Sequence, residues 1–190
     1  MGKAKPAFLV LMVPLAALAQ PEYPPVEVFG GYSYLRANPE EFNLNGWNAS
    51  VTGNVTDWFG IEGDFSGHYG HPKDEFGSIP EVNIDHYTFM VGPKLSYRAG
   101  SITPFGHFLI GAARASTKVE FLDRISDWAL ATVVGAGVDV NVSKSIALRV
   151  AQADWLMTRF ETDPDYYYYY GHHERQNNFR FSAGIVFKLD

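Results

Sequence analysis

In the last segment of the chain, Phe179, Phe181, Ala183, Ile185, Phe187 and Leu189 alternate with Asn178, Arg180, Ser182, Gly184 and Lys188. A two-residue period sends successive side chains to opposite faces of a strand, whereas a helix repeats every 3.6 residues. The pattern recurs upstream. Trp47, Ala49, Val51 and Val55 oppose Asn48, Ser50, Thr52 and Asn54, and Phe59, Ile61, Phe65 and Tyr69 oppose Gly60, Glu62, Asp64, Ser66 and His68. Tyr87, Phe89, Val91, Leu95 and Tyr97 oppose Thr88, Met90, Gly92, Lys94 and Ser96. Further on, Leu130, Val134, Ala136, Val138 and Val140 oppose Ala131, Gly135, Gly137 and Asp139, and Ile146, Leu148 and Val150 oppose Ala147, Arg149 and Ala151.

Two more segments read as strands with less regular faces. From Val26 to Arg36, Val26, Val28, Gly30, Tyr32 and Tyr34 face Glu27, Gly31 and Ser33, but Phe29 and Leu35 interrupt the alternation. Between Thr103 and Ala115, Phe105, Phe108, Leu109 and Ile110 fall on both parities, so a strand is expected there with no face assigned. Asp154 breaks parity in the seventh segment, which suggests a bulge or an interface position.

Eight strands are thus expected, joined by connections that alternate in length. Polar loops beginning at Asn38 and spanning His71–Pro80, Ser116–Asp127 and Glu161–Gln176 alternate with short turns at Thr56-Asp57, Arg98–Ser101 and Asn141–Ser145. Both ends of the strand array then lie at the short-turn rim. This asymmetry is typical of barrels that cross an outer membrane, where short turns face the periplasm and long loops face outward.

The chain start fits that route. Lys3 and Lys5 precede an apolar run from Ala7 to Leu18 closing on Ala17-Leu18-Ala19, which reads as a signal peptide over residues 1–19. The run is too short, and too interrupted by Pro14, for a spanning helix, which needs about 20 apolar residues. Residues 20–25 form a Pro-rich leader, and residues 26–190 the barrel domain. Loss of the two lysines moves the formal charge from −6 to −8, which argues against nucleic-acid binding. Without a cysteine, disulfides and thiol chemistry are excluded.

The chemistry of the two faces separates a lipid-bound barrel from a soluble one. One face carries Phe, Tyr, Ile, Val and Leu with aromatics toward the strand ends, as interfacial girdles require. The other carries Glu27, Glu62, Asp64, Lys94, Asp139, Arg149 and Arg180 among Gly and Ser. Eight strands enclose a bore about wide enough for side chains alone, so these charges are expected to neutralise one another in a plugged lumen. The expected fold is all-β: an eight-stranded antiparallel up-and-down transmembrane β-barrel with short periplasmic turns and long extracellular loops.

The sequence also resembles the outer membrane protein β-barrel family, in its OmpA transmembrane-domain-like and OmpX-like form. The carriers are Val28-Phe29-Gly30-Gly31-Tyr32-Ser33-Tyr34, Val91-Gly92-Pro93, Gly135-Ala136-Gly137-Val138-Asp139, Arg149 through Asp154-Trp155, and Asn177 through Phe187. The resemblance implies a bacterial outer membrane location, outer membrane lipids as partners, and a C-terminal assembly signal read by the barrel assembly machinery, with Phe187 as its aromatic. The chain departs from the family pattern by continuing Lys188-Leu189-Asp190. No peptidoglycan-binding domain is expected.

Tyr166, Tyr167, Tyr168, Tyr169 and Tyr170, followed by Gly171, His172 and His173, form the most unusual stretch and fall in the last long loop. Tyrosines combine rigid apolar area with a hydroxyl, so the stretch is either a contact surface for an extracellular ligand or a strand extension with an interfacial girdle. Adjacent residues on an extended chain point to opposite sides, so His172 and His173 do not suggest a metal site. No cofactor is expected. The functional expectation is a non-enzymatic envelope protein with a structural or adhesin-like surface role. A narrow porin-like channel is the alternative. Ser66, His68, His86 and His107 leave open a lipid-modifying hydrolase, although no nucleophile motif accompanies them.

Overall fold

The computed structural model describes residues 23–37, 42–70, 82–119, 125–160 and 175–190. The segment read as a signal peptide, Tyr166–Tyr170, His172 and His173 lie outside the described residues. Eight strands form: β1 (Val26–Ala37), β2 (Phe42–Asn54), β3 (Phe59–Gly70), β4 (Val82–Ser96), β5 (Ile102–Val119), β6 (Ile125–Asn141), β7 (Ile146–Phe160) and β8 (Arg175–Leu189). Each pairs antiparallel with its sequence neighbour, and β1 meets β8 from Val26 opposite Leu189 to Arg36 opposite Phe179, closing the barrel.

Turns 55–58, 97–101 and 142–145 join the strands at one rim. Thr56 and Ser143 each accept a backbone hydrogen bond at 3.0 Å, from Phe59 and Ile146, and Gly100 takes the left-handed φ of 60° that its turn demands. The leader extends this rim. The Asn54 side chain donates to the Pro24 carbonyl at 2.7 Å and its backbone to that of Pro25 at 2.8 Å, so the prolines take part as acceptors only.

At the opposite rim the strands run further than alternation predicted. The expected loop Ser116–Asp127 is mostly ladder, continuing to Thr117 opposite Ile125, and only residues 120–124 separate β5 from β6. The first connection likewise narrows to 38–41, leaving 71–81 and 161–174 as the long ones. A tilted spanning strand needs about 9–11 residues, whereas β5 has 18 and β6 has 17. The run from Ser116 to Asp127 is mostly polar in sequence, so it carries no apolar alternation that would mark it as strand.

The two irregular segments have one cause. Phe29 and Leu35 are 2% and 0% exposed and share the inward parity of Glu27 and Ser33, so β1 alternates throughout and carries apolar side chains in its lumen. In β5, Thr103, Phe105, His107, Leu109 and Ala113 are buried inward while Phe108 and Ile110 face out. The irregularity at Asp154 is a bulge placed earlier in β7. Val150 and Ala151 both face out, the β7–β8 register shifts between Arg149 and Gln152, and the even residues Gln152, Asp154 and Leu156 then point inward.

The outer wall is apolar. Phe65 packs edge-on against Phe89 at 5.8 Å, and Trp47, Phe108, Val134, Trp155, Phe181 and Ile185 are all substantially exposed. Toward the outer rim, polar tips find partners: the Tyr34 hydroxyl donates to Asn43 at 2.6 Å, Tyr87 donates to Tyr69 at 3.3 Å, and Tyr32 donates to Asn45. Trp58 and Tyr97 mark the short-turn rim. Such aromatic belts place amphipathic rings at lipid headgroup level. A barrel closed in this way is expected to stay compact in unboiled detergent samples and change gel mobility on boiling. Identical mobility before and after heating would contradict it.

Candidate functional site

The functional question concerns the lumen, because every strand sends its polar parity there. Glu27, Glu62, Asp64, Lys94, Asp139, Arg149 and Arg180 all point inward and are 0–5% exposed. Glu27 and Lys94 form one group, and the other five form a second, linked through Gln152, Asp154 and His107, which the sequence did not assign to the lumen.

Near the short-turn rim, Glu27 lies 3.7 Å from Lys94 and 2.9 Å from Arg98. Lys94 also reaches the Thr52 hydroxyl at 3.5 Å and sits 4.5 Å above the Phe105 ring. Deeper in, Arg149 donates to both Asp139 oxygens at 2.8 and 3.1 Å. Its guanidinium lies 4.2 Å from the Phe29 ring centre and 4.3 Å from that of Phe105. Two aromatic faces therefore hold the cation while the carboxylate takes its edge, a packing open to planar arginine and not to lysine. This explains an apolar Phe29 in a polar bore.

From Arg149 the network climbs the lumen. Its Nη1 donates to Gln152 at 2.7 Å, and Gln152 donates to Asp154 at 2.7 Å. Arg180 spans Asp154 and Asp64, each at 2.8 Å, and Asn48 donates to Asp64 at 2.7 Å. His107 branches off, with Nδ1 2.8 Å from Glu62 and Nε2 2.9 Å from Asp154. A ring with a carboxylate oxygen at each nitrogen carries hydrogen on both. Five acids, Glu27, Glu62, Asp64, Asp139 and Asp154, then face five cations, Lys94, Arg98, Arg149, Arg180 and the His107 imidazolium.

A glycine makes this junction possible. Gly135 stands between His107 and Asp154 in one cross-strand row, and a Cβ there would collide with the Asp154 carboxylate and the His107 ring. Without it, the two side chains meet over the middle strand. The signal was present in sequence only as a small residue on the polar parity.

The outer half of the lumen is lined differently. Leu35, Leu44, Met90, Leu109, Val133 and Leu156 pack together with Ala113, Ala129 and Ala131 in a buried apolar cluster. Beside it, Ser33 and Ser182 lie 2.9 Å apart, and His68 Nε2 is 2.9 Å from Ser33. His68, His86 and His107 all point into the lumen, away from lipid. Ser66 bonds Thr88 at 2.6 Å rather than a histidine, and the His68 Nδ1 has no partner, so no acid orients it. A nucleophile relay at the lipid face is not assembled among the described residues. Phe187 faces outward near the short-turn rim, opposite Val28 and Ile146.

An apolar belt outside, a charged bore inside and closure without an edge define a transmembrane β-barrel. The family model of the outer membrane protein beta-barrel domain matches residues 6–187, and the chain belongs to this family and sits in a bacterial outer membrane. In fold it is similar to Ail, the attachment invasion locus protein of Yersinia pestis, with 15% identity, 87% of this chain and 99% of that chain covered, and a TM-score of 0.55. Ail in complex with the heparin analogue sucrose octasulfate matches equally well, with 15% identity, coverage of 85% and 97%, and a TM-score of 0.55. The neisserial surface protein NspA matches with a TM-score of 0.61 and 11% identity, covering 86% of this chain and 97% of that chain. No curated protein matches.

Removing one partner of a buried ion pair costs roughly 3–5 kcal/mol. Arg180→Met is therefore expected to lower unfolding stability in detergent by about that amount, measured by urea titration of tryptophan fluorescence. Gly135→Ala should destabilise less, because Arg180 keeps its hold on Asp154. Wild-type stability in both variants would show that the network does not brace the barrel.

Proposed function

We propose that the protein is a non-enzymatic outer membrane scaffold with a sealed lumen, and that it acts at the cell surface through its long loops. The observation that supports this reading is the packed bore: among the described residues, an ion network below and an apolar cluster above fill the lumen with buried side chains. A pore needs a continuous polar path, and a lipid hydrolase needs a nucleophile facing the lipid. In this reading residues 1–19 are removed on export, and Phe187 belongs to the segment that the assembly machinery reads. The surface role rests on the loop between β7 and β8, where Tyr166–Tyr170 precede His172 and His173. A run of five tyrosines suits flat sugar or protein surfaces. Ail, similar in fold, is named for attachment and was solved with a sugar polyanion.

In planar bilayers the wild-type protein should give no steady channels, whereas reproducible conductance altered by Glu62→Gln or Arg180→Gln would replace the sealed lumen with a pore. Replacing Tyr166–Tyr170 with serine should leave heat-shifted mobility intact and abolish adhesion of cells displaying the protein to host-cell glycans. Unchanged adhesion would remove the loop from the reading.

A further inference from the structure

Below the Glu27 layer, at the short-turn mouth of the lumen, lies a cavity of about 550 Å³. Arg98, Lys144 and Lys188 line it together with Thr103 and Asn141, against one acidic side chain, Asp190. Of the nearest lumen acids, Asp139 is engaged by Arg149, and Glu27 is shared between Lys94 and the Nη1 of Arg98.

Two donors at this cavity are incomplete. Arg98 is fixed by its Nε to the Asp57 carbonyl and by Nη1 to Glu27, both at 2.9 Å, yet its buried Nη2 has no partner. Thr103 is 5% exposed, and its hydroxyl is also unpartnered. Lys188 is steadied by the Asn141 side-chain oxygen, while the Asn141 amide donates to the Gly100 carbonyl at 2.8 Å. That leaves the ammonium with donors to spare. Buried donors ordinarily find acceptors, and a guanidinium, an ammonium and a hydroxyl around one hollow present the set that binds oxyanions.

We propose that the periplasmic mouth of the barrel is a binding site for an oxyanion, phosphate or carboxylate, held by Arg98, Lys188 and Thr103. The cavity lies in the size range of small-molecule sites, about 300–1,000 Å³, and takes the anionic end of a larger molecule. It sits at the rim opposite the long loops and is independent of the surface role. Free periplasmic anions and phospholipid headgroups of the inner leaflet share this chemistry.

The test is calorimetric titration of the folded protein with inorganic phosphate in dodecyl maltoside, which carries no phosphate. Saturable binding is expected, weakened about tenfold by Lys188→Gln and by Thr103→Val, each removing one hydrogen bond to a charged group. Both variants should keep heat-shifted mobility. Repetition in phosphatidylglycerol nanodiscs assigns the source: lost phosphate binding there identifies a lipid headgroup, and retained binding a soluble oxyanion. Absence of saturable binding in the detergent, or equal binding by both folded variants, overturns the site.

Discussion

In hydrocarbon an unpaired backbone N–H or C=O has no water to turn to, and the cost per group is several kcal/mol. The pairing of β1 with β8 removes the edges that would otherwise carry such groups. Everything else follows from that seam. Once the sheet is a cylinder, parity decides the solvent of each side chain: odd residues of β1 enter a narrow bore, and even ones meet lipid. Charges sent inward cannot be hydrated in bulk, so they pair with one another.

Lipid tails are as apolar as the side chains they touch, so the outer wall gains little by leaving contact with lipid for contact with protein. Specific packing is concentrated inside instead. There, the Arg149 cation held between Phe29 and Phe105 shows why the bore is not uniformly polar. Aromatic faces and a carboxylate edge satisfy different sides of one guanidinium, and an aliphatic cluster packs above.

Strand identity, handedness of the faces and closure were legible because lipid imposes a strict rule on outward residues: Trp47, Phe65, Phe89 and Phe181 obey it without exception. The inward face has no comparable rule. Phe29, Leu35 and Phe105 read as errors in sequence because the lumen accepts apolar as well as charged side chains, and only neighbours from other strands decide which fits. His107 was visible only as a loose titratable residue, since its two acids come from β3 and β7. The strand ends at the outer rim were illegible for a third reason, that the mostly polar run from Ser116 to Asp127 carries no apolar alternation.

The bond from Arg180 to Asp64 joins residues 116 positions apart, on β8 and β3, which are not ladder partners. Its arginine sits on β8, one side of the seam that closes the cylinder. Without β8, the lumen acids outnumber the cations that face them. Balancing the charge of the lumen and closing the cylinder thus draw on the same strand.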